Sequence, residues 1–194
     1  MILDILSNRC SVRMFREQTI PQDVIDYILE AGRLSPSGGN EQPWAFGLVT
    51  ERRLIEAISC AAYNQKWIGR APLLIVLCTR VVEDERGARD IQVSRFPEWK
   101  EEILNADKGF YSRMNAEEHQ TKIPGTHMVL AALEHGIGST WVSYFNVGEV
   151  SKLLGLPPEY IPSEILVFGY PGGEMRPRPK KNREEVVFVN KFNK

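Results

Sequence analysis

Cysteine is scarce in this chain. Cys10, Cys60 and Cys78 are the only three in 194 residues, and no two stand as Cys-x-x-Cys. An odd, dispersed set gives neither a disulfide framework nor a structural zinc site, and all three are read as reduced, with Cys78 buried in a strand. Long hydrophobic runs are missing as well: the apolar stretch Leu73 to Cys78 is far too short to span a bilayer, and no charged-then-apolar leader opens the chain. A soluble, cytoplasmic protein is expected. Neither sign of charge prevails, since 24 Lys and Arg stand against 25 Asp and Glu, for a net charge of −1 and a pI near 6.3. That balance gives no reason to expect nucleic acid or an anionic membrane as a partner. Histidine is limited to His119, His127 and His135. Eight residues of helix turn a side chain about 80° beyond two full turns, so the three do not share one face and no metal site is expected. No distinct nucleotide-binding motif is present.

What is present suits one domain over residues 1–194. Ile2, Leu3, Ile5 and Leu6 predict a short amphipathic helix. Pro21 starts a second, with Asp23 in its first turn, an apolar stripe of Val24, Ile25, Ile28, Leu29 and Ala31, and Gly32 beginning its end. Trp44 to Val49 reads as a strand, about Glu51 to Ala62 as a helix, and Leu73 to Cys78 as a central strand apolar on both faces. Met128 to Leu133 predicts a buried helix ended by Gly136, with a strand from Ser139 to Tyr144 after it. Asn146 and Glu149 form a capping pair for a helix ending at Gly155. Ile165 to Phe168 is another buried strand, and Val186 to Val189 a last one, with a neighbouring subunit's sheet as its destination. Between about residues 83 and 124 the composition turns to charged residues with scattered aromatics, Phe96, Trp99, Phe110 and Tyr111. Pro97 and Gly109 are its helix punctuation. This excursion is read either as a lid over a substrate or as ordinary surface helices.

Two stretches carry chemistry. Ser35 to Trp44 combines Pro36 and Pro43 with Gly38, Gly39, Ser37 and Asn40, a composition that leaves backbone N–H groups pointing outward, although a plain helix-to-strand loop has the same ingredients. Upstream, an extended Arg9 to Arg13 would project Arg9, Ser11 and Arg13 to one side and Cys10, Val12 and Met14 to the other. Planar guanidinium forks match phosphate oxygens, so that side suits an anion; a solvated, charged edge is the plainer reading.

The two motifs in this order, Arg9-Cys10-Ser11-Val12-Arg13 and then Ser35-Pro36-Ser37-Gly38-Gly39-Asn40-Glu41-Gln42-Pro43-Trp44, resemble the nitroreductase family of flavin mononucleotide (FMN) enzymes. The resemblance continues through Ala71-Pro72, Gly136 to Ser139, Gly169-Tyr170-Pro171 and the basic tail Arg176 to Lys181 before Glu184-Glu185-Val186. It leaves only about residues 83–124 unmatched. It implies an α+β nitroreductase-like fold: a central, mostly antiparallel sheet flanked by helices, in a domain-entwined homodimer with FMN at the interface. One subunit would contribute Arg9 and Ser11 to the phosphate and ribityl chain and Arg13 to the N1 and C2 carbonyl edge. Arg178 and Lys180 would complete the phosphate site, with Lys181 as the alternative to Lys180. Asn64 falls where the family sets an Asn against the pyrimidine edge, and is equally a turn-former. Backbone N–H groups near Ser143 and Tyr144 would approach N5. Here the chain departs from a large branch of the family, which has Pro-x-Glu-Gly where Trp141 to Tyr144 stand. The other subunit would supply Pro36, Ser37, Gly38 and Asn40.

The activity implied is NADH- or NADPH-dependent reduction of a small acceptor, such as a nitroaromatic or quinone, by ping-pong hydride transfer. No side chain need serve as nucleophile, acid or base. The alternatives are a specialised member, such as a reductive dehalogenase or flavin-fragmenting enzyme, and a flavin-binding protein without turnover.

Overall fold

The computed structural model describes residues 2–81, 87–109 and 118–192. In chain order the helices and strands are α1 (Ile2–Asn8), α2 (Gln22–Arg33), β1 (Trp44–Val49), α3 (Arg52–Ala61), β2 (Leu73–Arg80), α4 (Gly87–Arg95), α5 (Lys100–Asn105), α6 (Glu118–Glu134), β3 (Gly138–Val142), α7 (Val147–Leu154), β4 (Tyr160–Gly169) and α8 (Arg183–Val186). Short 3₁₀ turns cover Gly38–Asn40, Ile68–Arg70 and Pro97–Trp99.

The strands form one sheet in the order β1-β2-β4-β3, with every neighbouring pair antiparallel. The alternation of side chains across a strand divides the core in two. On one face Leu74, Val76 and Cys78 of β2 join Ile165 and Val167 of β4 and meet α3 and α7 through Ile55, Ile58 and Val150. On the other, Leu73, Ile75 and Leu77 join Leu166 and Phe168 and meet α2 and α6 through Val24, Ile25, Ile28, Met128 and Val129. Helices on both faces explain why β2 reads as a continuous apolar run, as expected of a central strand.

Gly32 stands in the last turn of α2, which ends one residue later at Arg33, as expected. It lies inside the helix, where a Cβ would stand 2.1 Å from the terminal methyl of Met128, so it is a contact point between α2 and α6. α6 in turn begins at Glu118, well before the apolar run that marks it in the sequence, and carries Pro124 within it. The excursion therefore ends earlier than residue 124. Gly136, at φ +71, closes α6 as expected: its N–H bonds the Leu133 carbonyl, and the Ile137 N–H bonds that of Ala132. The α7 cap is also as expected, with the Asn146 side chain accepting from the Glu149 N–H at 3.0 Å and Gly155 left-handed at the far end.

Two strand expectations are corrected. β3 stops at Val142, leaving Ser143 and Tyr144 beyond it. Val186 to Val189 form no strand within the chain: Asn182 and Glu185 build a capping box that winds Arg183–Val186 into one helical turn. In the excursion, Pro97 opens a 3₁₀ turn, and α4 and α5 are joined by Arg89, whose guanidinium donates to the carbonyls of Ile103, Leu104 and Ala106 at 2.7–2.9 Å. Phe110 and Tyr111 lie outside the described residues.

Candidate functional site

The segment after α1 is laid along the free edge of β3. Ser11 bridges Ser139 in parallel, the Val12 N–H donates to the Ser139 carbonyl at 3.0 Å, and the Thr140 hydroxyl donates to the Val12 carbonyl at 2.6 Å. Close approach is possible because Gly138 has no Cβ; one would stand 2.6 Å from Val12 Cγ2. Val12 therefore points inward, and Ser11 and Arg13 outward, as an extended segment requires. Met14 departs from the expected apolar back: it is exposed and covers Gly172 and Gly173.

Ser11 and Arg13 share a cleft of about 440 Å³ with Arg178, and Val12, Met175 and Pro177 supply apolar wall. Among the described residues neither Arg13 nor Arg178 has a carboxylate partner, whereas Arg176 is paired with Glu174 at 2.9 Å. The Arg176–Glu174 pair lines the same cleft, so Arg13, Arg178 and the Ser11 hydroxyl are the groups there that suit an anion such as phosphate. Arg9 and Lys180, also expected here, do not line this cleft, and neither does Lys181. A larger cleft of about 610 Å³ contains Arg16, Arg52 and Arg70 but none of the expected residues, and its Arg52 is paired with Glu56 at 2.9 Å.

Arg13 also reaches the turn after α3. Tyr63 and Asn64 are left-handed, at φ +54 and +59, which makes Asn64 a turn residue in fact. Three residues on, the Trp67 ring lies under the Arg13 guanidinium, 5.5 Å from it. Gln65, which no sequence signal singles out, donates from Nε2 to the carbonyls of Ala62 and Tyr144 at 3.1 and 3.0 Å. Tyr144 also stacks on Tyr63, with ring centroids 4.2 Å apart. Arg13, Asn64 and Tyr144 are thus tied to one turn. The Ser143 hydroxyl is engaged elsewhere, donating to Glu164, a carboxylate only 3 % exposed. Lys122 Nζ stands 3.4 Å from the same carboxylate, so the buried charge is compensated.

The Ser35–Trp44 loop is at the opposite end of the sheet. Its Pro43 carbonyl accepts from Arg80 N–H, beside Tyr160 at the start of β4, whereas the Ser11–Arg178 cleft adjoins Gly169 and Pro171 at the end of β4. Ten residues of strand separate those ends by about 30 Å. Much of the loop's backbone is turned inward, contrary to expectation. Gly38 N–H donates to Gln120 Oε1 at 2.7 Å, Gln42 N–H to Ser37 Oγ at 2.9 Å, and Asn40 N–H to the Ser37 carbonyl at 3.1 Å. Gly39, Asn40 and Gln42 all have positive φ, so the loop is a folded knuckle. His127 anchors its start through Ser35 Oγ at 2.7 Å, and His135 packs edge-on to Tyr27.

The described part of the chain holds no helix long and apolar enough to cross a membrane. Comparison with known proteins gives a consistent answer. An NADH dehydrogenase of Thermus thermophilus is 28 % identical over 92 % of this chain and 91 % of its own length. An iodotyrosine deiodinase of Thermotoga neapolitana is 27 % identical over 96 % of both. The solved structure of an FMN-dependent nitroreductase of Clostridium difficile superposes with a TM-score of 0.74 at 19 % identity, covering 98 % of this chain and 99 % of that one. The profile of the nitroreductase family matches residues 6–170, a span that contains both sheet faces and the docked Arg9–Arg13 segment, and the chain belongs to that family.

Proposed function

We propose that this protein is an FMN-dependent oxidoreductase that takes reducing equivalents from NADH or NADPH and passes them to a small organic acceptor. The observation that carries the reading is the cleft lined by Ser11, Arg13 and Arg178 together with apolar side chains, where neither arginine has a carboxylate partner among the described residues. Those residues fit a cofactor with a phosphate at one end and a flat, largely apolar ring at the other. FMN supplies reversible two-electron chemistry, so donor and acceptor can use one site in turn.

The chain's own residues bind and tune. Arg178 and Ser11 would hold the phosphate and ribityl chain, with Arg9 and Lys180 at the periphery. Arg13, braced on Trp67, would place a fixed cation at the N1 and C2 carbonyl edge, where reduction adds negative charge. A cation there favours the reduced state and raises the potential. Asn64 and the backbone at Ser143 and Tyr144 would border the ring.

Pro36, Ser37, Gly38 and Asn40 would act on the FMN of a second copy, because about 30 Å of strand separates them from their own cleft. A homodimer is supported further by apolar side chains exposed at both ends of the chain, Ile2 and Leu3 in α1 and Val187, Phe188, Val189 and Phe192 in the tail. The tail would lay these apolar side chains against the partner, and such a dimer would act in the cytoplasm. The α4–α5 excursion would serve as a lid selecting the acceptor.

A second reading has specific support in the iodotyrosine deiodinase relative, which matches along nearly its whole length. It makes the acceptor a halogenated aromatic and the reaction reductive dehalogenation. Whether many acceptors or only one reoxidise the reduced protein separates the two. The binding site itself is tested by FMN titration and redox potentiometry of Arg13→Ala. Weaker binding and a lower potential in FMN-saturated protein are expected, and an unchanged potential removes the role given to Arg13.

A further inference from the structure

Arg13 is an exposed side chain with no ion pair among the described residues, yet it is not left to wander: its guanidinium carbon lies 5.5 Å from the centroid of the Trp67 ring. That ring is itself firmly placed. Trp67 is half-buried and packs against the core formed by α3, α7 and one face of the sheet, and the next residues, Ile68 and Gly69, are fully buried.

The turn that delivers it is tightly tied. Of the consecutive left-handed residues, Asn64 tolerates that conformation while Tyr63 is unfavourable there, and the surrounding bonds hold it. Asn64 N–H reaches the Cys60 carbonyl at 3.2 Å, Ser59 Oγ donates to the Gln65 carbonyl at 3.0 Å, and Ile68 N–H donates to that same carbonyl at 2.9 Å. Gln65 spans from Ala62 to Tyr144. An arginine in water gives up considerable rotamer freedom when it is fixed by a ligand; one already stacked on a rigid aromatic face gives up less.

We propose that Trp67 is a positioning residue that presets the Arg13 guanidinium at the cleft, so that the charge stands at the ring edge of the cofactor before binding and sets its reduction potential. The inference rests on the role proposed for Arg13, and goes beyond it by assigning the tuning to a pair and not to the cation alone.

The test is spectroelectrochemical measurement of the midpoint potential in FMN-saturated protein, together with FMN affinity by fluorescence quenching. The proteins compared are wild type, Arg13→Ala, Trp67→Leu, Trp67→Phe and the double variant Arg13→Ala/Trp67→Leu. Trp67→Leu should lower the potential in the same direction as Arg13→Ala but less far, and weaken FMN about two- to fivefold, the factor carried by an exposed cation–aromatic contact. Trp67→Phe should restore most of both, and Trp67→Leu should add nothing once Arg13 is gone. If Trp67→Leu fails to fold, Trp67→Met fills the same wall without an aromatic face and carries the same expectation. A potential unchanged by loss of the ring, while Arg13→Ala lowers it, overturns the role of Trp67. A potential unmoved by Arg13→Ala overturns the reading of Arg13 itself, and the two failures are therefore distinct.

Discussion

Cys78 shows how completely one residue's chemistry is set by its neighbours. It lies on the central strand with no exposure, and burial pushes its thiol from the ordinary value of 9.0 up to about 11. The neutral thiol is the form that the core accepts. In the unfolded chain the thiol ionises first, so stability should fall as pH rises from about 9 towards 11, and Cys78→Ala should remove that part of the slope. Cys60 is exposed. Timed alkylation of the native protein at pH 8 should therefore label Cys60 and spare Cys78; equal labelling would mean that β2 opens readily. Glu164 is the polar counterpart, a carboxylate buried at the β2–β4 irregularity and satisfied by Ser143 and Lys122. Nothing in the sequence around Glu164 marks it, because its partners are 21 and 42 residues away.

Among the elements, those read correctly from sequence are those whose signals are local. β2 is apolar on both faces because helices cover both, and α7 announces itself by Asn146 and Gly155 at its ends. The elements misread depend on distant partners. Gln120 and Thr121 fall in the stretch read as a lid or surface helices, yet both are buried, Gln120 against Gly38 and Thr121 against Thr79, and Pro124 interrupts the pattern further. Gly32 marks the end of α2 as expected, but its second role as the space that Met128 fills has no local signal. The candidate site divides in the same way. The Ser11–Arg13 alternation was legible because a strand edge enforces it, but it does not extend to Arg9, whose N–H still bonds the Ile5 carbonyl of α1, or to the exposed Met14; Trp67 and Gln65 were invisible until the turn after α3 was folded. The α4–α5 excursion is held together by Arg89 and its three carbonyl acceptors. Removing residues 88–118 should change the order in which acceptors are preferred, measured as kcat/KM across a panel, more than it changes FMN retention. Loss of FMN instead would make the segment part of the cofactor site.

For the whole molecule, the two stretches proposed to share a site lie about 30 Å apart along β4 in a single chain, and apolar side chains are exposed at both ends. Pairing two copies accounts for both features at once. Light scattering should give a dimer, and truncation after Asn182, which removes the exposed Val187, Phe188 and Val189, should shift it towards monomer with a parallel loss of FMN. A stable monomer that binds FMN with full affinity would show that each cleft is complete by itself. The central claim, that the Arg13–Arg178 cleft binds a flavin reduced by a nicotinamide, is tested most directly by one spectrum. The purified protein, saturated with FMN under anaerobic conditions, is recorded in the visible range before and after addition of NADH and then NADPH. Bleaching of the flavin band by at least one of them is the predicted result. A flavin that neither nucleotide bleaches, or a protein that takes up no FMN at all, would contradict it.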